Sequence, residues 1–263
     1  MGPVKSLTIR GLNRVFRPID MEINPVGTKT APEPRRFPDI EPWVEQIIER
    51  VRPFTMTSSE RISALCHAVR YIAKHGIPGD IVECGVWRGG SVMAAALTLQ
   101  AEHDISRALH LFDTFAGMPP PSEVDRAAQS GRTAASLLAE ADSSSDLWAL
   151  APINDVRANL ESTNYPVDRI RLIKGRVEDT IPREAPAEIA LLRLDTDWYE
   201  STRHELIHLY PKLSIGGVLI VDDYGHWEGA RRAVDEYIRD NSLAILLHRI
   251  DYTGRIAVKT GLR

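Results

Sequence analysis

The stretch Asp80-Ile81-Val82-Glu83-Cys84-Gly85-Val86-Trp87-Arg88-Gly89-Gly90-Ser91 decides how the chain is read. An apolar run ends in an acid, turns through glycines and enters a helix-forming segment. Glycine lacks the Cβ that would hold backbone N–H groups away from a ligand, so a strand, glycine turn and helix in this order suit a nucleotide-like cofactor. The glycines are spaced G-x-x-x-G-G rather than G-x-G-x-x-G, and Glu83 stands two residues before the first. An acid there would repel a pyrophosphate but attract a cation such as the amino group of S-adenosylmethionine, which favours that cofactor over a nicotinamide dinucleotide. A tight turn with no ligand is the other reading at this point.

Outward from this turn the chain alternates strands and helices. Strands are expected at 81–84, 108–113, 169–174, 188–195 and 217–222, and helices at 90–101, 200–210 and 228–239. The near-continuous apolar runs Ile189-Ala190-Leu191-Leu192 and Val218-Leu219-Ile220-Val221 predict parallel strands covered on both faces, hence a doubly wound α/β fold. Segments 244–250 and 255–259, around Asp251-Tyr252-Thr253-Gly254, predict a hairpin that adds a C-terminal antiparallel strand. Upstream, residues 1–40 hold six of the 17 prolines, which predicts an irregular arm with a short strand at 6–10. A helix is expected at 42–51 and another from Ser58 or Ser59 to about 75, stopped by Gly76 and Pro78. The expected division is therefore an arm and helix over 1–53 and a main domain over 54–263. Within the latter, the long excursion 116–165, with helices at 133–141 and 153–160, reads as a lid.

With 263 residues, 43% of them hydrophobic, the chain can bury a full core. A net charge of -4 and a pI near 6.1 argue against nucleic acid, whose binding rests on neutralising phosphates. Two cysteines, Cys66 and Cys84, make neither a disulfide framework nor a zinc site and fit a reducing cytoplasm. The chain shows neither the ~20 continuous apolar residues of a membrane span nor the apolar core of a signal peptide at its start, so no membrane partner is expected.

In open α/β sheets ligands bind beyond the carboxyl ends of the strands, and acids cluster there: Glu83, Asp113, Asp195 with Asp197, and Asp222-Asp223. Asp195, Asp222 and Asp223 offer oxygen ligands only, which suits Mg²⁺ or another hard divalent ion; ordinary caps and salt bridges are the alternative. Asp113 is placed either to accept from ribose hydroxyls or to cap the following loop. His204-Glu205-Leu206-Ile207-His208 matches the zinc-protease pattern H-E-x-x-H, but in the wrong context, on a helix between buried strands with no third ligand signposted. Asp195-Thr196-Asp197 matches the D-x-D of Mg²⁺-dependent phosphohydrolases, which normally ends the first core strand and here would end the fourth.

Four ordered motifs carry a family resemblance: Gly76 to Ser91, Leu111 to Pro119 (Leu-Phe-Asp-Thr-Phe-Ala-Gly-Met-Pro), Leu194 to Thr202 (Leu-Asp-Thr-Asp-Trp-Tyr-Glu-Ser-Thr), and Leu209 to Leu213 with Gly216 to His226. From about Phe54 to Tyr237 the chain resembles the macrocin O-methyltransferase family, S-adenosylmethionine- and Mg²⁺-dependent enzymes that methylate sugar hydroxyls of glycosylated antibiotics. The resemblance implies a seven-stranded Rossmann-like methyltransferase fold. It implies that Met56, Thr57, Glu83, Gly85 and Ser91 lie along the methionine end of the cofactor, Asp113 at the ribose, and Glu178 and Asp179 near the adenine. Asp195, Asp222 and Asp223 would hold the metal, which would chelate two neighbouring substrate oxygens and acidify the reacting hydroxyl. Related catechol methyltransferases place a lysine three residues after the first metal aspartate; Trp198 stands there, so Asp195 is the first choice of general base, with Asp197 and His226 in reserve. The family also implies a glycoside substrate and a homo-oligomer. A phosphohydrolase using Asp195 and Asp197, and a non-catalytic cofactor-binding module, are the alternatives.

Overall fold

The computed structural model describes residues 37–142 and 145–261. The chain divides into a leading unit, Met1–Asp39, and a second unit, Ile40–Arg263, which holds every element named below. The expected arm up to residue 36, with its strand at 6–10, lies outside the described residues.

The strands are β1 (Asp80–Cys84), β2 (Leu109–Asp113), β3 (Ile170–Lys174), β4 (Ile189–Leu194), β5 (Leu213–Val221), β6 (His248–Arg249) and β7 (Arg255–Val258). They form one sheet in the order β3-β2-β1-β4-β5-β7-β6. The first five are mutually parallel, with Val82 opposite both His110 and Leu192. β7 runs antiparallel to β5, Leu219 facing Ala257, and β6 antiparallel to β7. The helices are α1 (Pro42–Val51), α2 (Ser59–Lys74), α3 (Gly90–Ala101), α4 (Ala134–Glu140), α5 (Ile153–Glu161), α6 (Val177–Thr180), α7 (Tyr199–Leu209) and α8 (Glu228–Asp240). No helix among the described residues is long and apolar enough to cross a membrane.

Successive strand side chains point to opposite faces, so a run of apolar residues fills two layers at once. Ile81, Leu109, Leu111, Leu191, Val218 and Ile220 join one apolar cluster with residues of α1, α2, α3 and α5. Their neighbours Val82, Phe112, Leu192, Leu219 and Val221 join the other, with Leu206 and Leu209 of α7 and Val234 of α8. Truncating one such leucine to alanine costs about 2–5 kcal/mol, so this two-sided burial is what fixes the register of the strands that carry the site.

Two expectations are refined. β5 starts at Leu213 rather than 217, because Leu213 pairs with Ile189 before the ladder shifts register ahead of the Leu191–Val218 pair. The first arm of the C-terminal hairpin ladders only over His248–Arg249, while Leu243, Ile245 and Leu247 pack on the second cluster. The segment 116–165 carries α4 and α5 where expected and is pinned to the sheet's helices. Buried Asp125 accepts from the Tyr199 N–H at 2.8 Å and from Ser122 N and Oγ, each at 2.7 Å. Trp198 and Trp227, edge to face at 5.0 Å, gather Ala127, Ala134 and Leu138 beneath it.

Candidate active site

The strand order reverses between β1 and β4, and beyond the carboxyl ends of these strands, β2 and β5 lies a cavity of about 360 Å³. Its walls include Met56, Thr57, Glu83, Gly85, Ser91, Asp113 and Glu178, all read from the sequence as cofactor groups, together with Asp195, Asp197, Asp222, Asp223 and His226. Asp179 is exposed and stands outside these walls.

The glycine turn is built for close approach. Gly85 has φ +82, and a Cβ there would overlap the carbonyl oxygen of Asp195; a Cβ on Gly90 would stand 2.6 Å from the Phe54 carbonyl oxygen. Asp113 holds the turn shut: its Oδ2 accepts from Val86 N at 2.7 Å and Trp87 N at 3.1 Å, and its Oδ1 from Phe115 N at 2.6 Å. These bonds are the loop capping expected of it, and Asp113 also lines the cavity. Burial raises its pKa, and these three N–H bonds oppose the shift. Ser91 Oγ and Thr57 Oγ1 lie 3.4 Å apart, the two hydroxyls facing one another across the cavity wall.

Two arginines stand among the acids. Buried Arg193, on β4, donates to Glu83, to Asp195 at 2.6 Å, to Asp222 at 2.5 Å and to Thr57 Oγ1 at 3.1 Å. Arg61, in the first turn of α2, donates to Asp222 and, at 3.0 Å, to Asp251. Ser58 caps α2, accepting from Arg61 N at 3.2 Å while donating to Asp251 at 2.7 Å, so the helix start and the β6–β7 turn aim Arg61 together. Burial pushes Glu83 up to about 7 against the pull of Arg193. Burial alone would lower the Arg193 pKa, but Asp195 and Glu83 more than reverse this and keep it charged.

Asp195, Asp197 and Asp223 bring one carboxylate oxygen each within 4.8 Å of one another. Asp222, expected with them, instead has both oxygens on the two arginines. Asp197 is raised to about 7 by burial and the neighbouring Asp195 charge, although a bond with Asp223 pulls it down. Asp223 is pushed well up by burial and by the Asp197 and Asp195 charges, and its buried Oδ2 lacks a hydrogen-bond partner among the described residues. Carboxyls packed this way either keep protons or share a cation; an all-oxygen donor set with an orphaned oxygen fits a hard divalent ion. His226 lies half-buried against Trp227 and Tyr252, its pKa lowered by burial and then by Arg61.

The histidine pair of the H-E-x-x-H match is set apart from this cavity. His204 Nε2 lies 3.0 Å from the Ile181 carbonyl oxygen, while Glu205 turns inward and accepts from Thr196 Oγ1 at 2.9 Å.

The profile described as Macrocin-O-methyltransferase (TylF) matches residues 49–258. The chain belongs to this family. It is 35% identical over 201 residues, 76% of this chain and 73% of the relative, to the 8-demethyl-8-(2,3-dimethoxy-alpha-L-rhamnosyl)-tetracenomycin-C 4'-O-methyltransferase of Streptomyces olivaceus. It is 32% identical over 200 residues, 76% of each chain, to the mycinamicin III 3''-O-methyltransferase of Micromonospora griseorubida. Among solved structures, the O-methyltransferase NovP superposes with a TM-score of 0.68 at 31% identity, covering 79% of this chain and 83% of that one. This macrocin-O-methyltransferase family member is thus an enzyme, an O-methyltransferase on a Rossmann-like seven-stranded sheet, and the phosphohydrolase and non-catalytic readings lose their support.

Sequence reading missed Arg61 and Arg193. Arg193 had left a trace: it is the one charged residue in Ile189-Ala190-Leu191-Leu192-Arg193-Leu194, and a charge in a strand buried on both faces needs partners. Arg61 left none, since a basic residue in the first turn of an amphipathic helix is unremarkable by pattern.

Proposed function

We propose that the enzyme transfers the methyl group of S-adenosylmethionine to a sugar hydroxyl of a glycosylated natural product, with a divalent ion such as Mg²⁺. The observation that carries this is the meeting in one cavity of Glu83 beside a glycine turn and the oxygen-only group Asp195, Asp197 and Asp223. The sugar acceptor rests on relatives named for rhamnosyl and mycinamicin substrates.

In this reading Glu83, Thr57 and Ser91 bind the amino-acid end of the donor, the backbone at Gly85 lies against it, and Asp113 keeps the turn in shape. Asp195, Asp197 and Asp223 hold the metal. When bound, the donor supplies an electrophilic methyl group and the metal supplies positive charge that acidifies a nearby hydroxyl. Asp195 stays the first choice for the base, with Asp197 and His226 in reserve, all three in the cavity wall. Trp227, Met118, Pro119 and Leu147, the last three from the segment 116–165, give the acceptor an apolar wall. Homo-oligomerisation and a cytoplasmic location belong to the same proposal; a light-scattering mass of one chain would remove the first.

The test is a panel of rhamnosylated and other deoxysugar glycosides incubated with the donor and Mg²⁺, read by mass spectrometry. Gain of one methyl on the sugar, lost with a chelator and restored by Mg²⁺, is expected. Methylation of aglycone hydroxyls only, or turnover indifferent to chelation, would refute the acceptor or the metal half respectively.

A further inference from the structure

One guanidinium joins the two halves of this site. Arg193 Nη1 donates to Glu83 and to Asp195; Arg193 Nη2 donates to Thr57 and to Asp222. Each nitrogen therefore holds one group from the donor side of the cavity and one from the acids ending β4 and β5. The side chain is 3% exposed, so solvent does not substitute for any of these partners. The fork is planar and rigid, and one nitrogen cannot be re-aimed without turning the other.

Building on the function proposed above, we propose that Arg193 is a positioning residue that couples binding of S-adenosylmethionine to binding of the divalent ion. The first ligand to arrive fixes Glu83 and Thr57, or the acids ending β4 and β5, and so fixes the fork between them. The second ligand then meets carboxylates already ordered and loses less conformational freedom. Linkage makes the effect reciprocal: the metal tightens the donor by the factor by which the donor tightens the metal. Direct repulsion between two positively charged ligands acts the other way. That repulsion persists when lysine replaces Arg193, because the charge is retained; a single ammonium cannot hold four groups in one plane. Comparing the two proteins isolates the fork.

The experiment titrates S-adenosylmethionine into the full-length protein by calorimetry, with and without saturating Mn²⁺, in wild type and Arg193→Lys. Mn²⁺ uptake is followed separately by the paramagnetic resonance of the free ion. The ratio of donor Kd without Mn²⁺ to that with Mn²⁺ is expected to be at least about fivefold larger in wild type than in Arg193→Lys, the lower end of usual coupling. Equal ratios in two proteins that both bind both ligands overturn the coupling and leave the proposed function standing. A wild type that binds the donor but takes up no Mn²⁺ overturns the metal half of that function, and the coupling with it. Where Arg193→Lys does not fold, Thr57→Val removes one arm of the fork while leaving the buried charge paired. A smaller ratio than in wild type is expected there, and an unchanged one overturns the proposal.

Discussion

Glu205, which is bonded to the Asp195-Thr196-Asp197 turn, makes the stability of the fold depend on pH in a direction that can be worked out. Its carboxyl is fully buried; Oε1 accepts from Thr196 Oγ1 at 2.9 Å, and Oε2 has no hydrogen-bond partner among the described residues. Burial, helped by the charges of Glu178 and Asp195, pushes the carboxyl well above its ordinary 4.5, against the Thr196 bond. The native state therefore keeps this proton at pH values where the unfolded chain has released it. Stability changes with pH in proportion to protons bound unfolded minus protons bound native, here minus one, or about -1.4 kcal/mol per pH unit. The contribution of Glu205 is thus intact below 4.5 and is lost as pH rises toward the folded value. Glu205→Gln keeps an acceptor for Thr196 and removes the titration. Urea unfolding of both proteins at pH 5 and pH 6 should show the variant gaining about 1 kcal/mol on wild type over that interval. Glu83, Asp197 and Asp223 titrate in the same sense but are common to both proteins and cancel. Parallel loss of stability in the two would refute a neutral Glu205.

Asp223→Asn removes one of three mutually repelling carboxyls and should leave the metal-free melting temperature within about 4 °C of wild type or above it, while Mn²⁺ uptake is lost; retained uptake would take Asp223 out of the metal site. Gly85→Ala, which needs a left-handed backbone and collides with the Asp195 carbonyl oxygen, should cost well over about 1 kcal/mol in chemical unfolding. A near-neutral result would mean that the turn relaxes freely. Asp125→Ala strands the N–H groups of Tyr199 and Ser122 and should cost about 1–3 kcal/mol, with new protease cleavage inside 116–165; unchanged cleavage would mean that Asp125 does not pin this segment.

The sheet was legible because its signal is local and redundant. A strand buried on both faces must be apolar at every position, so Ile189 to Leu192 and Val218 to Val221 announce themselves, and Ser58 and Gly76 punctuate α2 by capping and by breaking. The start of β5 and the length of β6 were not legible, because both depend on ladder partners far along the chain: Leu213 is a strand residue only where Ile189 faces it.

The site divides along the same physical line. Its acids could be found from sequence, since strand ends are where such folds place ligands. What each acid does could not, because that depends on which cation it meets. Asp222 and Asp223 are adjacent in the chain, yet one has both oxygens on Arg61 and Arg193 and the other leaves an oxygen bare. Arg61 reaches Asp222 across 161 positions, through a helix start held by Asp251, whereas Arg193 is separated from Asp195 by two. Only the second could have been inferred, by asking what a lone guanidinium in an apolar strand must be bonded to. The answer ties Glu83, on β1, to the acids of β4 and β5, and it makes this cavity one electrostatic unit rather than two neighbouring pockets.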